Sequence, residues 1–378
     1  MLIITLLISL LFFIQETSFN DLKEIKKFLN DNLSGKLYHS INKFKKKDKP
    51  IISIVISTFN GEIYLKPAVR SIQNQNFLNI EIIIVDDGSL DNSVKIINEL
   101  MKEDPRIKLI KNYINRGTLY TKTKGVLNAK GKYVMTLDHD NLYANKKAFV
   151  TLYNEAEKYN LDLLGFSSII ARFENKNLTI KKYLNFCNTT IIKLHNITNR
   201  FFVNNYEHIR TYLYMFFIKT DIFINSINKL GNEFINRNID AHDDTILIFI
   251  LSKNALTLKH IKKILYITLK WPKQYGKSLT FQQKIKYSFR ESKNCFSFLT
   301  YFEVLLLFTE NNHEDKKIAE YSFLDWLTGN LMCLNKTNIK NDILRISNLY
   351  LKNEYISKNA KNEILLYLNK SHVINSNK

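Results

Sequence analysis

The stretch from residue 51 to residue 137 constrains the fold most, because short apolar runs alternate there with segments of helical periodicity. The apolar runs, typical of strands buried on both faces of a parallel sheet, lie at 51–56, 82–85, 107–110 and 133–137. The segments with helical spacing lie between them at 65–72, 94–101 and 120–129. Strand–helix–strand units with short connections predict right-handed crossovers. We therefore predict an α/β fold with a mostly parallel, Rossmann-like sheet flanked by helices.

Polar residues directly follow three of these four predicted strands. The three stretches are Ser57-Thr58-Phe59-Asn60-Gly61, Asp86-Asp87-Gly88-Ser89 and Asp138-His139-Asp140-Asn141. Each one alone is typical of a turn or a helix cap. Open parallel sheets bind ligands beyond the carboxyl ends of their strands, so the three together predict a ligand site at one sheet edge.

Asp138 and Asp140 are the most chemically informative pair in these stretches. Two carboxylates two residues apart at a strand end can face one divalent ion and its bound phosphates. Mn²⁺ or Mg²⁺ takes one or two carboxylates together with phosphate oxygens and water. The alternative is a turn with a capping aspartate.

In this order and spacing, the chain resembles the family 2 glycosyltransferases of the GT-A fold. The matching residues are Ile52 to Asn60, Ile82 to Ser89, Asn115-Arg116-Gly117, Lys122, Gly125, Gly131 to Val134 and Leu137 to Asp140. The resemblance covers roughly residues 51–170, about a third of the chain. It implies a nucleotide-diphospho-sugar transferase sheet and transfer of a sugar from a nucleotide-sugar donor, expected to be a UDP-sugar, to an acceptor hydroxyl.

The resemblance also implies roles on the donor side. Ser57 and Phe59 correspond to residues that line a uracil pocket, with Phe59 stacked on the base; ordinary core packing is the alternative for Phe59. Asp87 corresponds to the carboxylate that accepts from a uracil ring N–H, and Asp86 to a residue on the ribose side.

Three further positions correspond to the phosphate and metal region. Lys122 stands where the family usually has an arginine near the base and phosphates, and a lysine keeps the charge but not the fork geometry. Asp140 corresponds to the main metal ligand, and Asp138 to a residue that supports the ribose or a metal-bound water.

An inverting transfer also needs a base that takes the proton of the acceptor hydroxyl. Ala241-His242-Asp243-Asp244-Thr245, just before the apolar run 246–251, is similar to the acidic pair that the family carries at the start of a helix. The resemblance implies Asp244 as the base and Asp243 in support; an N-cap role is the alternative for either. Lys273 and Lys277, after Trp271, are candidates for closing over the diphosphate, with plain surface lysines as the alternative.

Outside the strand–helix region we predict a leader, a stem and a tail. Leu2–Ile14 is apolar but shorter than the roughly 20 residues that span a bilayer, so residues 1–17 are predicted to be a signal peptide or signal-anchor. Residues 18–50 are predicted as a basic helical stem or linker, residues 51–275 as the catalytic domain (51–141 nucleotide-binding, 142–275 acceptor side), and residues 276–378 as a helical region.

This leader predicts the secretory pathway (ER or Golgi lumen or membrane) or secretion, with membrane association through the N-terminus. A buried N-terminal helix and a location on the cytoplasmic face are the alternatives.

The formal charge of +20, from 55 Lys+Arg against 35 Asp+Glu, raises nucleic acid as a partner. The lysines scatter through linkers and helix faces without a nucleic-acid-binding module, so we predict no nucleic-acid partner. The predicted partners are the nucleotide sugar and an acceptor that is a glycan, protein or lipid. The alternative function is a catalytically impaired nucleotide-sugar-binding homologue that acts as a scaffold.

Overall fold

The computed structural model describes residues 19–37, 49–174, 177–184, 189–194, 196–202, 212–270, 297, 299–308, 317–320, 323 and 337–370. The predicted signal segment 1–17 and the loop with Lys273 and Lys277 lie outside the described residues.

Ten strands in the described part of the chain form one sheet. They are Ile52–Thr58 (β1), Ile80–Asp86 (β2), Ile107–Lys111 (β3), Tyr133–Asp138 (β4), Leu142–Tyr143 (β5), Leu163–Glu174 (β6), Asn177–Leu184 (β7), Ile192–Lys193 (β8), Phe216–Lys219 (β9) and Thr257–Lys270 (β10). Their order is β3-β2-β1-β4-β9-β6-β10-β5, with β7 beside β6 and β8 beside β10.

The first four strands form the parallel half of the sheet, as the sequence predicts. β1 pairs in parallel with both β2 and β4, and β2 pairs in parallel with β3. Every residue of β1 and β2 is buried, which explains why these strands are largely apolar and show no regular alternation of apolar and polar residues. The predicted α/β class with a Rossmann-like sheet is confirmed.

The second half of the sheet is mixed. β9 runs antiparallel to β4 and to β6, and β10 is parallel to β6 but antiparallel to β5. The sequence predicts a strand over 212–218, whereas the structure has a 3₁₀ turn at Leu213–Met215 and begins β9 at Phe216. This turn brings the chain beside the acidic pair described below.

The helices alternate with the strands and continue into the C-terminal region. They are Phe19–Leu33 (α1), Leu65–Gln73 (α2), Ser93–Glu103 (α3), Thr118–Leu127 (α4), Ala148–Tyr159 (α5), Asn196–Phe202 (α6), Thr220–Leu230 (α7), Asn232–Ile235 (α8), Asp243–Asn254 (α9), residues 299–307 (α10), Thr337–Lys352 (α11) and Lys358–Lys370 (α12). The predicted helices at 65–72, 94–101 and 120–129 correspond to α2, α3 and α4.

Helix α1 lies within the segment predicted as a stem, yet it packs against the sheet. Ile25 and Leu29 are buried in a cluster with apolar residues of β6 and β10. Asn74 Nδ2 donates to Asn32 Oδ1 over 2.6 Å, which ties α1 to the end of α2. Burying large apolar side chains stabilises by about 1.5–3 kcal/mol each, so this helix is a packed element of the fold.

The described C-terminal residues are helical and share the main hydrophobic core. Phe302 and Leu305 of α10 and Ile346 of α11 are buried in the same cluster as the strands of the parallel half. Within the described ranges, no helix combines the length and apolar character that crossing a membrane requires.

Candidate active site

The sheet register brings the three polar stretches to one edge. Thr58 lies beside Asp86 at the ends of β1 and β2, and Ser57 lies beside Asp138 at the ends of β1 and β4. The parallel pairing of these strands makes this alignment unavoidable, because their carboxyl ends face the same way. The register therefore brings the strand-end residues together at one edge of the sheet, as the sequence predicts.

The loops after β1 and β2 are bound to each other by side chain to backbone hydrogen bonds. The Asn60 amide donates to Ser89 Oγ over 2.9 Å, and the Leu90 amide donates back to Asn60 Oδ1 over 2.9 Å. The Gly61 amide donates to Ser93 Oγ over 2.8 Å. Phe59, next to this junction, is half-buried rather than enclosed in the core.

Asp87 is a buried hydrogen-bond centre of this edge. Its Oδ1 accepts from Asn112 Nδ2 over 2.8 Å and from the Arg116 amide over 2.9 Å, and its Oδ2 accepts from the Gly117 amide over 3.0 Å. Carboxylate oxygens have about two acceptor positions each, so Oδ2 retains capacity for one more donor. Asp87 thus holds the loop before α4 against β2.

Asp86 is 1% exposed and lies directly before Asp87. Its Oδ2 accepts from the Ser89 amide over 3.3 Å, while its buried Oδ1 has no hydrogen-bond partner in the described structure. A buried carboxylate oxygen without a donor is costly, which is a common property of binding sites.

The central feature of the edge is a lysine surrounded by three carboxylates. Lys122 Nζ lies 2.6 Å from Asp244 Oδ1, 2.9 Å from Asp243 Oδ2 and 3.4 Å from Asp138 Oδ1. Lys122 is 4% exposed. Burial acts to lower the pKa of Lys122, and the three carboxylates outweigh it and raise that pKa well above the ordinary value. The structure therefore joins the predicted acidic pair to the Asp138–Asp140 stretch through Lys122, whose predicted contact with phosphates stays a prediction.

Asp244 differs from an ordinary surface carboxylate. Burial, together with Asp243 and Asp138, raises its pKa to about 7, although the Lys122 ammonium opposes the rise. Its Oδ2 accepts from the Leu213 amide over 3.1 Å, and its Oδ1 accepts from Lys122 Nζ. A carboxylate that exchanges a proton near neutral pH is suited to general base chemistry.

The helix-capping alternative for the acidic pair finds no support in the hydrogen bonds. Helix α9 begins at Asp243, and its N-cap residue is His242, which makes no side-chain cap hydrogen bond. Asp244 directs its oxygens to Lys122 and Leu213. The carboxylates still gain from the positive end of the helix dipole.

Asp138 and Asp140 fit the chemistry of a divalent cation. Both are partly exposed at the end of β4, and burial together with the negative charge of Asp138 raises the pKa of Asp140. A bound cation would reduce the repulsion between two carboxylates in a partly buried site. Among the described residues no group of three or more His, Cys, Asp and Glu is arranged to hold a metal, so phosphate oxygens would have to complete such a site.

Several residues of the edge are not indicated by the sequence reasoning. Tyr214 stacks on Tyr266 with ring centroids 4.5 Å apart, and Tyr212 stacks on Tyr214 at 5.1 Å. This ladder lies next to Asp244, because Leu213 is the residue between its first two members. The run Tyr212-Leu213-Tyr214 is visible in the sequence, but only the 3₁₀ turn shows that it borders the acidic pair.

Comparison with known proteins shows that part of this chain is similar to glycosyltransferases. Residues 53–223 match the family model described as glycosyl transferase family 2. Similar relatives are a glycosyltransferase of Haemophilus influenzae (41% identical over 98 residues), glycosyltransferase GlyG of Streptococcus pneumoniae (34% over 114) and a GalNAc(5)-diNAcBac-PP-undecaprenol beta-1,3-glucosyltransferase of Campylobacter jejuni (40% over 94). These matches cover 26%, 30% and 24% of this chain and 39%, 38% and 30% of the relatives' own lengths.

The fold extends the likeness beyond the aligned sequence. The structure of Staphylococcus aureus TarS residues 1–349 in complex with UDP-GlcNAc superimposes with a TM-score of 0.60 over 86% of this chain and 89% of that chain, at 14% identity. At this identity the likeness concerns the fold alone. The resemblance inferred from the strand-end motifs is confirmed, because residues 53–223 of this chain match the model of glycosyl transferase family 2.

Proposed function

We propose that this chain is a metal-dependent, inverting glycosyltransferase that moves a sugar from a UDP-sugar to an acceptor hydroxyl. The observation that carries the proposal is Asp244, a carboxylate that is 16% exposed, has its pKa raised to about 7 and is joined through Lys122 to the Asp138–Asp140 stretch. A base and a candidate phosphate-and-metal region thereby lie on two sides of one ammonium group.

The donor would lie at the carboxyl edge of β1, β2 and β4. Asp87 Oδ2 has capacity for one further donor, which suits a uracil N–H, and the half-buried Phe59 offers a ring for the base. Ser57 and the unpartnered Oδ1 of Asp86 are the neighbouring polar groups. The solved TarS complexes with UDP and UDP-GlcNAc support a uridine nucleotide as the donor carrier.

Asp244 would act as the base in the transfer step. The acceptor oxygen attacks the anomeric carbon from the face opposite the diphosphate, its proton passes to the Asp244 carboxylate, and the bond from that carbon to the diphosphate oxygen breaks. The leaving UDP takes the bonding electron pair, and the anomeric configuration inverts. Asp243 and Lys122 would hold Asp244 in place during this step.

Asp140, with Asp138 in support, would hold the Mn²⁺ or Mg²⁺ ion. When bound, the ion neutralises charge that builds up on the departing diphosphate. The protein's own contribution is to keep both carboxylates at the edge of β4, where Asn141 Nδ2 lies 3.5 Å from Asp138 Oδ2 and Asn141 Oδ1 accepts from the Leu269 amide over 3.0 Å.

The acceptor is proposed only by class, as a glycan, a protein or a lipid-linked sugar. The Campylobacter jejuni relative carries an undecaprenol-linked glycan in its name, which favours the lipid-linked class. The secretory location and the N-terminal membrane association also remain proposals, because residues 1–17 lie outside the described residues.

The proposal is tested by incubating the purified chain with UDP- and GDP-linked sugars, with and without Mn²⁺, and measuring release of the free nucleotide. We expect slow hydrolysis of at least one UDP-sugar that EDTA abolishes and Mn²⁺ restores. Asp140→Asn should remove the metal response, whereas Asp221→Asn, the same change at an exposed position in the first turn of α7, should keep it. Nucleotide-sugar binding without any turnover would favour the scaffold alternative, and turnover that EDTA leaves intact would contradict the metal.

A further inference from the structure

The connection at residues 236–242, between α8 and the acidic pair, is held from two sides. On the first side it lies against the loop that Asp87 binds. The Leu119 amide donates to the Ile239 carbonyl over 3.2 Å, Thr118 Oγ1 donates to the same carbonyl over 3.1 Å, and Arg116 Nη2 donates to Asn236 Oδ1 over 3.0 Å. Ile239 is fully buried.

On its second side the connection is bound by the C-terminal helical region. Arg237 Nη1 donates to Glu303 Oε2 over 2.8 Å, and its Nη2 lies 3.4 Å from Glu303 Oε1. Arg345 of α11 donates to the same carboxylate, through Nη1 over 3.1 Å and Nη2 over 3.0 Å. Glu303 of α10 therefore joins α10 and α11 to the connection.

The Arg237–Glu303 pair is better shielded from water than an ordinary surface pair. The side chains are 18% and 13% exposed, and the Arg237 guanidinium lies 4.3 Å from the centroid of the Phe234 ring. Burial acts to raise the pKa of Glu303, and the two arginines outweigh it and hold that pKa below its ordinary value. Two-point contacts between arginine and carboxylate constrain orientation as well as distance.

The connection ends in a strained residue. His242 has a φ of +60°, in the left-handed region that non-glycine residues rarely adopt, and it directly precedes Asp243. Such a conformation persists when the surrounding structure imposes it. The contacts of Ile239 and Arg237 hold the same connection, and Arg237 lies six residues before Asp243.

We propose that Glu303 is a positioning residue for the transfer reaction: through Arg237 it holds the 236–242 connection so that Asp244 stays against Lys122 and faces the acceptor hydroxyl. The inference rests on the proposed function of Asp244 as the base. Helix α10 would then contribute to transfer through the position of Glu303, although it supplies no reacting group.

The kinetic arm of the test compares Glu303→Gln with Arg345→Gln. Glu303→Gln removes the charge that binds Arg237, and we expect kcat for transfer to fall about tenfold or more with the KM for the donor unchanged, because small displacements of a base are costly. Arg345→Gln removes the other arginine on Glu303 but leaves the connection bound, and it should keep the kcat of the original protein. Glu303→Asp, which keeps the charge, should recover part of the loss.

The second arm uses hydrogen exchange, which does not depend on activity. The amides of residues 236–244 should exchange faster in Glu303→Gln than in the original protein, and the thermal midpoint of each variant shows whether the whole molecule is affected. In Arg345→Gln these amides should exchange as in the original protein. If no donor is turned over by the original protein, the proposed function fails, while this arm still decides whether Glu303 holds the connection. Unchanged exchange in Glu303→Gln, or equal losses of kcat in Glu303→Gln and Arg345→Gln, would overturn the inference.

Discussion

At the residue scale, the site depends on how one buried ammonium group arranges three carboxylates. Without Lys122, Asp138, Asp243 and Asp244 would repel one another in a partly dry cleft. With it, Asp243 and Asp244 lie within 2.9 Å of a positive charge, yet burial still raises the pKa of Asp244 to about 7. The lysine therefore keeps the cluster together without making Asp244 a permanently ionised, weak base.

This arrangement predicts the pH profile of transfer. A base must be unprotonated to accept the acceptor's proton, so kcat/KM should rise with pH and level off above about 7. Asp244→Asn should lower kcat by a factor of about 100 or more on the plateau above pH 7, since general base catalysis contributes 10²–10⁴-fold, and by less at lower pH, where Asp244 of the original protein is already protonated. Initial rates between pH 5 and 9 with a donor identified in the screen provide the measurement.

The control for this profile is Asp221→Asn, the same chemical change at an exposed position in the first turn of α7. It should leave both the rate and the profile in place. A profile for Asp244→Asn that matches the original protein in height and shape would remove Asp244 from the base role.

At the scale of single elements, α4 carries Lys122 to the site because it packs very closely on the sheet. Gly125 lies over β1, where an added Cβ would be 2.3 Å from Val55 Cγ1 and 3.1 Å from Val85 Cγ2. The next-turn neighbour of this glycine is Lys122, three residues earlier on the same helix. A glycine in a helix interior costs about 1 kcal/mol relative to alanine, and close packing on the strands is the compensation.

The packing predicts the effect of Gly125→Ala. The added methyl group overlaps Val55, so we expect a destabilisation of about 1–3 kcal/mol despite the better helix propensity of alanine. Chemical denaturation of the single variants Gly125→Ala and Val55→Ala and of the double variant gives the coupling. The double variant should lose less stability than the two single variants lose in sum, because Val55→Ala makes room for the new methyl group. If the losses of stability are additive, or if Gly125→Ala is more stable than the original protein, then α4 moves away from Val55 at little cost.

At the scale of the whole molecule, the parallel half, the mixed half and the C-terminal helices share one hydrophobic core. The +20 charge is spread over a sequence of 378 residues, while the acidic residues to which the proposed function assigns chemistry lie at one edge. The mixed half also buries a titratable group, His260 of β10, which is 0% exposed and packs edge-on against Phe216 with ring centroids 5.7 Å apart.

His260 predicts a pH dependence of global stability. Burial, with a smaller effect of Arg200, lowers the pKa of His260 to about 3 from its ordinary 6.5. Between these values the unfolded chain binds a proton that the folded chain does not, so the free energy of unfolding should fall as pH drops from 6.5 toward 3. One pKa unit corresponds to 1.36 kcal/mol, so the contribution is up to about 5 kcal/mol.

Urea denaturation at several pH values, on the original protein and on His260→Gln, measures this contribution. The variant should be less stable at pH 7 but should lose less stability on acidification. His139→Gln, which removes a half-exposed histidine, is the control and should keep the slope of the original protein. Equal slopes for the original protein and His260→Gln would contradict the buried neutral histidine.

The parallel half of the fold and the strand-end residues could be predicted because they depend on short-range information. Buried parallel strands are continuous apolar runs, and the residue after each strand is known once the strand is. Ser57, Asp87 and Asp138 were placed correctly at one edge for this reason. The mixed half could not be predicted in the same way, since the direction of β9 depends on where a long connection returns.

The sequence by itself determined the class of sheet, the edge at which the polar strand-end residues lie and the resemblance to a family, because each follows from local periodicity and motif order. Only the tertiary structure decided that Lys122 meets Asp244, a contact between residues 122 positions apart, and that Glu303 binds Arg237 across 66 positions. No local pattern encodes such contacts, since they result from how helices settle on the sheet when the common core is buried. The sequence supplies the polar residues at this edge, and the packing of the whole chain brings residues from distant segments into contact with them.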